Sequence, residues 1–333
     1  DESGMVINQS KTKFMVVNGN EEERKQLEVD PIIIENCEKY CYLGCIFTQD
    51  AKIKSAIKEQ CRMKMAHVTK YEAFVRKNPT APFRVKEKVF TAALTTAMLY
   101  GAESWLNQAA IKEARPMYTS CIRSLLGVRK TTAGELCLIE AGQPTLTSYA
   151  KNIQKKAIQK LIQERSDMDD DPFNHVWRLV SEGRTPAAMY IHSLEHFTID
   201  LENEALKENI RTSTRTKYQT YTTLMNPELK KYRMYIDPEI KEHKRVVATK
   251  FRLSSHNLAI EKGRWQRKPR EERLCTECDL IQDETHALTV CRINADARSQ
   301  HCDNLRLGLP ELFEENGVVD AVRACYWLIK DFV

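Results

Sequence analysis

Four residues within a 17-residue window constrain this chain more than anything else in it: Cys275, Cys278, His286 and Cys291, spaced C-x2-C-x7-H-x4-C. Thiolates and imidazole are ligands that zinc prefers, and a tetrahedral structural site takes four of them. A C-x-x-C turn presents two thiolates to one ion, and the His-x4-Cys half supplies the other two from about one helical turn. The intervening residues 279–285 are polar enough to loop around the ion. Protein fills all four positions, so the expectation is a structural zinc with no open position for catalysis. The competing reading is coincidence in a chain with 11 cysteines. Cys61, Cys121, Cys137 and Cys325 sit among apolar neighbours and are expected to be buried free thiols, because an odd total in a long chain argues against a disulfide framework. Cys37, Cys41 and Cys45 fall in a strand-like stretch and are expected to be core thiols. The remaining histidines have no partner at ligand spacing.

Hydrophobic patterning organises the rest. Over residues 1–50, short apolar runs are bounded by turn formers: Phe14 to Val17, Pro31 to Ile34 and Tyr40 to Phe47. That pattern predicts strands. After Asp50 the period becomes helical. Ile53, Ile57, Cys61 and Met65 form one stripe. Val85, Val89, Phe90, Ala93, Leu94, Ala97 and Met98 form a second, with Met117 to Leu126 and Ile153 to Ile162 as the third and fourth. Pro79 and Pro82 separate the first two helices, Gly127 stands as a C-cap after the third, and Pro144 precedes the fourth. The acidic run ending at Asp171-Pro172 marks a boundary. Residues 173–210 read as two helices around Trp177 and Ile191, 211–250 as long polar connections, and 305–333 as a final helix around Val322 and Trp327.

Charge is unevenly spread over the 333 residues. Between Arg211 and Arg273 there are 17 Lys or Arg against 7 Asp or Glu, whereas the whole chain carries only +5. Arg264, Trp265, Arg267, Lys268, Arg270 and Arg273 crowd guanidinium and ammonium groups around an indole just ahead of the Cys/His cluster. Phosphates attract such a cluster, and an indole can stack on an unpaired base. The alternative is a solvated basic face with Trp265 as a packing anchor. No stretch reaches the ~18 apolar residues of a membrane span. The chain opens on a polar segment at Asp1 rather than on Met, which reads as an incomplete piece without a signal peptide.

Several segments together resemble the C-terminal half of non-LTR (LINE-type) reverse transcriptases. Gly4, Asn8, Lys11 and Thr12, followed by Lys13-Phe14-Met15, are similar to the palm segment after that family's catalytic turn. Tyr42-Leu43-Gly44 resembles the primer-grip region. Leu99-Tyr100-Gly101 with Glu103 and Trp105, and Arg123 with Gly127, are similar to thumb signatures. The family's terminal finger often reads R-x-C-x2-C…E-x-x-H-x4-C, which Arg273 to Cys291 follow with Glu284 at the acidic position. The likeness covers most of 1–130 and about 250–295, whereas 150–250 aligns to nothing.

The resemblance implies a mostly α fold with a small β remnant: truncated palm strands (1–50), a thumb-like helical bundle (51–166), a helical and basic connecting region (167–250), a basic flank with the CCHC zinc knuckle (251–295) and a helical tail (296–333). It places Lys11, Lys13, Tyr42 and Gly44 near primer and template. RNA or DNA is the implied partner, together with the upstream fingers and palm. The paired carboxylates that hold two metal ions in such polymerases would lie upstream of Asp1, so magnesium belongs to the intact parent and this chain alone is expected to be inactive. Asp1, Glu2 and the run Asp169 to Asp171 are not assigned to catalysis, and the 42 residues after Cys291 are too few for a nuclease domain. The resemblance also implies a nuclear site of action. Two alternatives stay open: a stand-alone or domesticated nucleic-acid-binding zinc protein, and a helical protein-interaction module with a structural zinc.

Overall fold

Prolines and glycines set where several helices of this chain begin or stop: Pro82 precedes one, Gly127 and Gly142 end two others. The computed structural model describes residues 8, 11–29, 32–105, 111–165, 186–301 and 318–330. Most of the segment Gly4–Ser10, the acidic run at 167–172, Trp177 and the tail up to 317 lie outside the described residues. Helix accounts for 61 % and strand for 7 %, so the fold is mostly α with a small sheet remnant. The chain forms two compact units. The first comprises Asp1–Ala66, Thr96–Arg115 and Tyr149–Phe197; the second comprises His67–Thr95, Pro116–Ser148 and Thr198–Val333.

In the first unit, strand β1 (Lys13–Phe14) pairs parallel with β3 (Ile32–Asn36), which pairs antiparallel with β2 (Leu27–Val29). The run Tyr40 to Phe47, expected as one strand, is a hairpin of β4 (Lys39–Tyr42) and β5 (Cys45–Thr48). Leu43 and Gly44 both have positive φ, 48° and 83°, which is the two-residue turn that matches the twist of a hairpin. The Tyr100 hydroxyl donates to the Leu43 carbonyl at 2.7 Å, and a Cβ on Gly44 would press into the Tyr100 ring. Cys41 is exposed and Cys37 and Cys45 are half-buried. These thiols are therefore not core residues: the hairpin is too small to cover both of its faces.

Helix α1 (Ile53–Lys77) starts under the Asp50 carboxylate, which accepts from the Lys52 amide and the Thr48 and Ser55 hydroxyls. Its buried line is Ile57, Gln60, Val68 and Tyr71, whereas Ile53 and Met65 of the expected stripe are exposed. A 3.6-residue helix drifts off a fixed four-residue spacing, so a stripe drawn at i+4 leaves the core side within two or three turns. Helix α2 (Phe83–Val89) runs into a π-turn at Phe90–Thr95. Its core face is Phe83, Lys86, Phe90, Leu94 and Met98, with Val85 exposed. Phe83 and Phe90 bury more apolar surface than the two valines, so they take the inward side.

Helix α3 (Arg115–Leu126) buries Met117, Tyr118, Cys121, Ile122, Leu125 and Leu126 and ends at Gly127, φ +74°. Helices α4 (Gly134–Ala141), α5 (Leu146–Arg165), α6 (Pro186–Glu195) and α7 (Ile199–Arg211) follow. Burial pushes the thiols of Cys121 and Cys137 up to about 12 and that of Cys61 up to about 11, so they are inert packing groups.

The region expected as long connections, 211–250, keeps one at 226–241, interrupted by a tight turn at Arg233–Tyr235, and is helical on either side. It carries α8 (Thr216–Thr220) with a π-turn at Tyr221–Met225, and α9 (Glu242–Arg252). Tyr218, Tyr221, Tyr232 and Tyr235 are buried. Tyrosine has a polar tip but a large apolar body, so a polar-looking run rich in it can still supply a core. Beyond lie α10 (Ala259–Trp265), α11 (Glu284–Thr289), α12 (Ala295–His301) and α13 (Val318–Ile329). The last is the expected terminal helix, with Val322 buried and Trp327 partly exposed.

Candidate metal centre and its basic flank

The cluster is built from a hairpin and a short helix. Leu274 bridges Ile281 antiparallel, and the Cys275 amide donates to the Leu280 carbonyl at 2.8 Å. That turn aims Cys275 and Cys278 the same way. Asp283 caps α11: its Oδ1 accepts from the His286 amide at 3.0 Å. The Cys291 amide then donates to the His286 carbonyl at 2.9 Å, which returns Cys291 to the imidazole side.

The ligating atoms of Cys275, Cys278, His286 and Cys291 all lie within 4.8 Å of one another. The sulfurs of Cys275 and Cys291 are 3.7 Å apart. Two thiolates at ~2.3 Å from a tetrahedral zinc stand about 3.8 Å apart, so this pair already has the required spacing. Both ring nitrogens of His286 are buried without a hydrogen-bond partner, although buried polar atoms normally find one. A cation would partner one of the two nitrogens. Burial holds the His286 imidazole below its usual pKa, toward the neutral form that binds metal. Burial alone would raise the Cys275 thiol, but it is outweighed by donation from the Glu277 and Cys278 amides and the neighbouring thiols, which lower it. Burial raises Cys291 to about 11. The two thiols lie side by side, and a divalent cation there would favour the thiolate form of both. The residues fit a metal ion, and the donor set is compatible with structural zinc.

A second layer holds the ligands. Gln282 Nε2 lies 3.8 Å from Cys275 Sγ, and the Arg292 amide donates to Cys278 Sγ at 3.3 Å. Glu284 is buried in the first turn of α11. Its Oε1 accepts from Ser254 at 2.9 Å and lies 3.1 Å from His256 Nε2, which ties the ligand-bearing helix to the end of α9. His256 is thus a satisfied core histidine.

The basic flank is joined to the same hairpin. The Ile260 amide donates to the Gln282 carbonyl at 3.1 Å, and Gln282 Oε1 accepts from the Ala259 amide at 2.8 Å. Arg273 donates to the carbonyls of Ile260 and Lys268, and its stem lies so close to Gly263 that a Cβ there would collide. Arg273 therefore spends its guanidinium on the protein. Arg264 pairs with buried Glu261 at 2.8 Å and Arg270 with Asp283 at 3.2 Å. Arg267 and Lys268 are exposed, with no ion pair among the described residues, and Trp265 is 51 % exposed. Sequence reasoning missed Arg129, whose guanidinium lies over the Trp265 ring, 4.3 Å from its centroid. No local signal ties residues 136 positions apart.

The other expected contacts belong to the first unit. Lys11 is exposed, Lys13 pairs with Glu35, Tyr42 is exposed and Gly44 forms the hairpin turn. No described helix is long and apolar enough to cross a membrane. No protein-family model, curated protein or solved structure matches the chain.

Proposed function

We propose that this chain is the nucleic-acid-binding C-terminal part of a non-LTR reverse transcriptase, in which zinc on Cys275, Cys278, His286 and Cys291 holds a basic, tryptophan-bearing face toward RNA or DNA. The observation that carries the reading is the attachment of α10 to the metal hairpin through Gln282 and Arg273. It makes the placement of Trp265, Arg267 and Lys268 depend on the same fold that gathers the ligands. Four protein ligands leave zinc no open position, so its part is to hold the fold. In small domains such ions supply about 10 kcal/mol or more of folding free energy. Polymerisation itself would use carboxylates and magnesium of the upstream palm, acting at chromosomal DNA in the nucleus. A second reading, a protein-interaction module, draws on Leu274, Leu280, Val290 and Ile293, which are exposed around the hairpin.

Zinc content and RNA and DNA binding across a salt series test the proposal, on the intact chain and on Cys275→Ser/Cys278→Ser. One zinc per chain is expected, with a log–log salt slope of several phosphates and at least tenfold weaker binding in the variant. Metal-free protein, or binding indifferent to the two cysteines, leaves the protein-interaction reading in its place.

A further inference from the structure

Arg129 and Trp265 are the centre of a cation cluster larger than the basic run in the sequence. The Arg129 amide lies outside any helix and donates to Ser255 Oγ at 3.0 Å, while the guanidinium donates to the His256 carbonyl at 2.8 Å and to Asn257. These bonds fix the guanidinium plane on one side of the indole. Lys250 is joined to Arg129 through Ser255: the Ser255 amide donates to the Lys250 carbonyl at 2.7 Å, and the Ser255 hydroxyl takes the Arg129 amide. Burial and then the Arg129 charge lower the Lys250 pKa, and its ammonium has no carboxylate partner among the described residues. The nearby acid, Glu261, is buried and already paired with Lys217 at 2.6 Å and Arg264 at 2.8 Å. Arg129, Lys217 and Arg264 thus draw on one carboxylate and Lys250 on none, beside an aromatic ring that is half open to solvent. Folding gains nothing from holding a half-buried ammonium unpaired next to a guanidinium, because both lose hydration and repel. An anion between them relieves that cost.

We infer that this cluster is a single-strand site: Trp265, backed by Arg129, stacks an unpaired base, and Arg129 with Lys250 takes the adjoining phosphodiester. The inference rests on the nucleic-acid reading above and narrows it to unpaired strands. A duplex presents phosphates but hides its base faces, so the indole discriminates where the cations do not. Arg129 can serve both groups because a guanidinium is planar and presents several donors.

The test uses the zinc-loaded full chain with a short labelled single strand, its blunt duplex and the same strand with abasic positions. The single strand is expected to bind about tenfold more tightly than the duplex, with stacking contributing a factor of ~10 per base. The abasic strand should fall to the duplex level, and Trp265→Leu should bind all three alike. Lys250→Met should weaken every strand and reduce the salt slope by about one. The abasic strand requires no change in the protein, so a folding defect cannot imitate its result. Equal binding of intact and abasic strands overturns the stacking site while leaving nucleic-acid binding standing. No binding of any strand removes both.

Discussion

Two polar clusters lie inside the second unit, and they are finished to different degrees. Around Glu140 every charged atom has a partner. Arg252 donates to both carboxylate oxygens, at 2.6 and 3.1 Å, and to the Met225 carbonyl at 2.6 Å. Tyr221 and Tyr235 donate to the same carboxylate at 2.5 and 2.9 Å. The Arg252 guanidinium also lies over the Tyr232 ring. Around Cys275 the opposite holds: two sulfurs face each other at 3.7 Å and an imidazole has neither nitrogen bonded. A buried polar group without partners costs a few kcal/mol. The first cluster is complete as protein and serves the fold. The second is complete only with a cation. Burial and perturbed pKa values occur in both, so the state of the partners, rather than burial, separates a structural cluster from a binding one.

The sharpest way to break this contrast is Glu140→Ala. It leaves Arg252 buried with no counter-charge, and a broken buried pair costs about 3–5 kcal/mol. Denaturant unfolding should show that loss. Replacing both partners, Glu140→Leu with Arg252→Met, should cost less than the single change, because no charge is stranded. Metal affinity should stay within about twofold in every variant that still folds. Release of the metal by Glu140→Ala at temperatures where the unit remains folded would mean that the clusters are not independent.

The two clusters were also unequally legible. Cys275 to Cys291 could be read because metal ligation is local: spacing within a turn and a helix fixes which atoms can converge. The Glu140 cluster could not. Its members stand as far as 112 positions apart, and tyrosine, arginine and glutamate each read as surface types until a partner is known. That is why 211–250 looked like polar connection throughout, although its tyrosines Tyr218, Tyr221, Tyr232 and Tyr235 are core. The same limit hid Arg129, whereas Gly127, Pro82 and Pro144 could be read because backbone punctuation acts on its nearest neighbours. Stripes drawn at fixed spacing on α1 and α2 identified the helices and caught Ile57, Phe90, Leu94 and Met98, but took in exposed Ile53, Met65 and Val85, since helical drift on α1 and side-chain size on α2 decide the inward face.

Glu284 tests the boundary between the two kinds of cluster, because it adjoins the metal ligands and is nevertheless fully partnered. Burial alone would raise its carboxyl, but His256, its own backbone amide and Ser254 outweigh that and bring it from 4.5 to about 2. A depressed carboxylate adds stability above its unfolded pKa and loses it as pH falls through the folded value. The window is therefore pH 4.5 down to about 2, and the shift corresponds to roughly 3 kcal/mol at most. Chelated protein is the material to titrate, since protons also compete with metal for thiolates. Glu284→Gln should flatten the acid dependence across that window. An unchanged profile would mean that the carboxylate is not held by its neighbours as the geometry describes.

The smallest effect concerns how far the Cys/His cluster is prepared before metal arrives. Asp283 caps α11 through the His286 amide and also pairs with Arg270. Losing a cap side chain costs about 1 kcal/mol. The exposed ion pair adds little. Because α11 delivers His286, Asp283→Ala should weaken zinc binding by about fivefold, as the metal must then order the turn itself. Asp283→Asn keeps an accepting oxygen and should recover most of the loss, while giving up the charge that pairs with Arg270. Competition with a chromophoric chelator measures both. Equal affinity in all three proteins would show that the apo cluster is already held by Glu284 and the hairpin alone. The unsatisfied imidazole would then sit in a frame as rigid as the one around Glu140, and only its missing partner would distinguish the two.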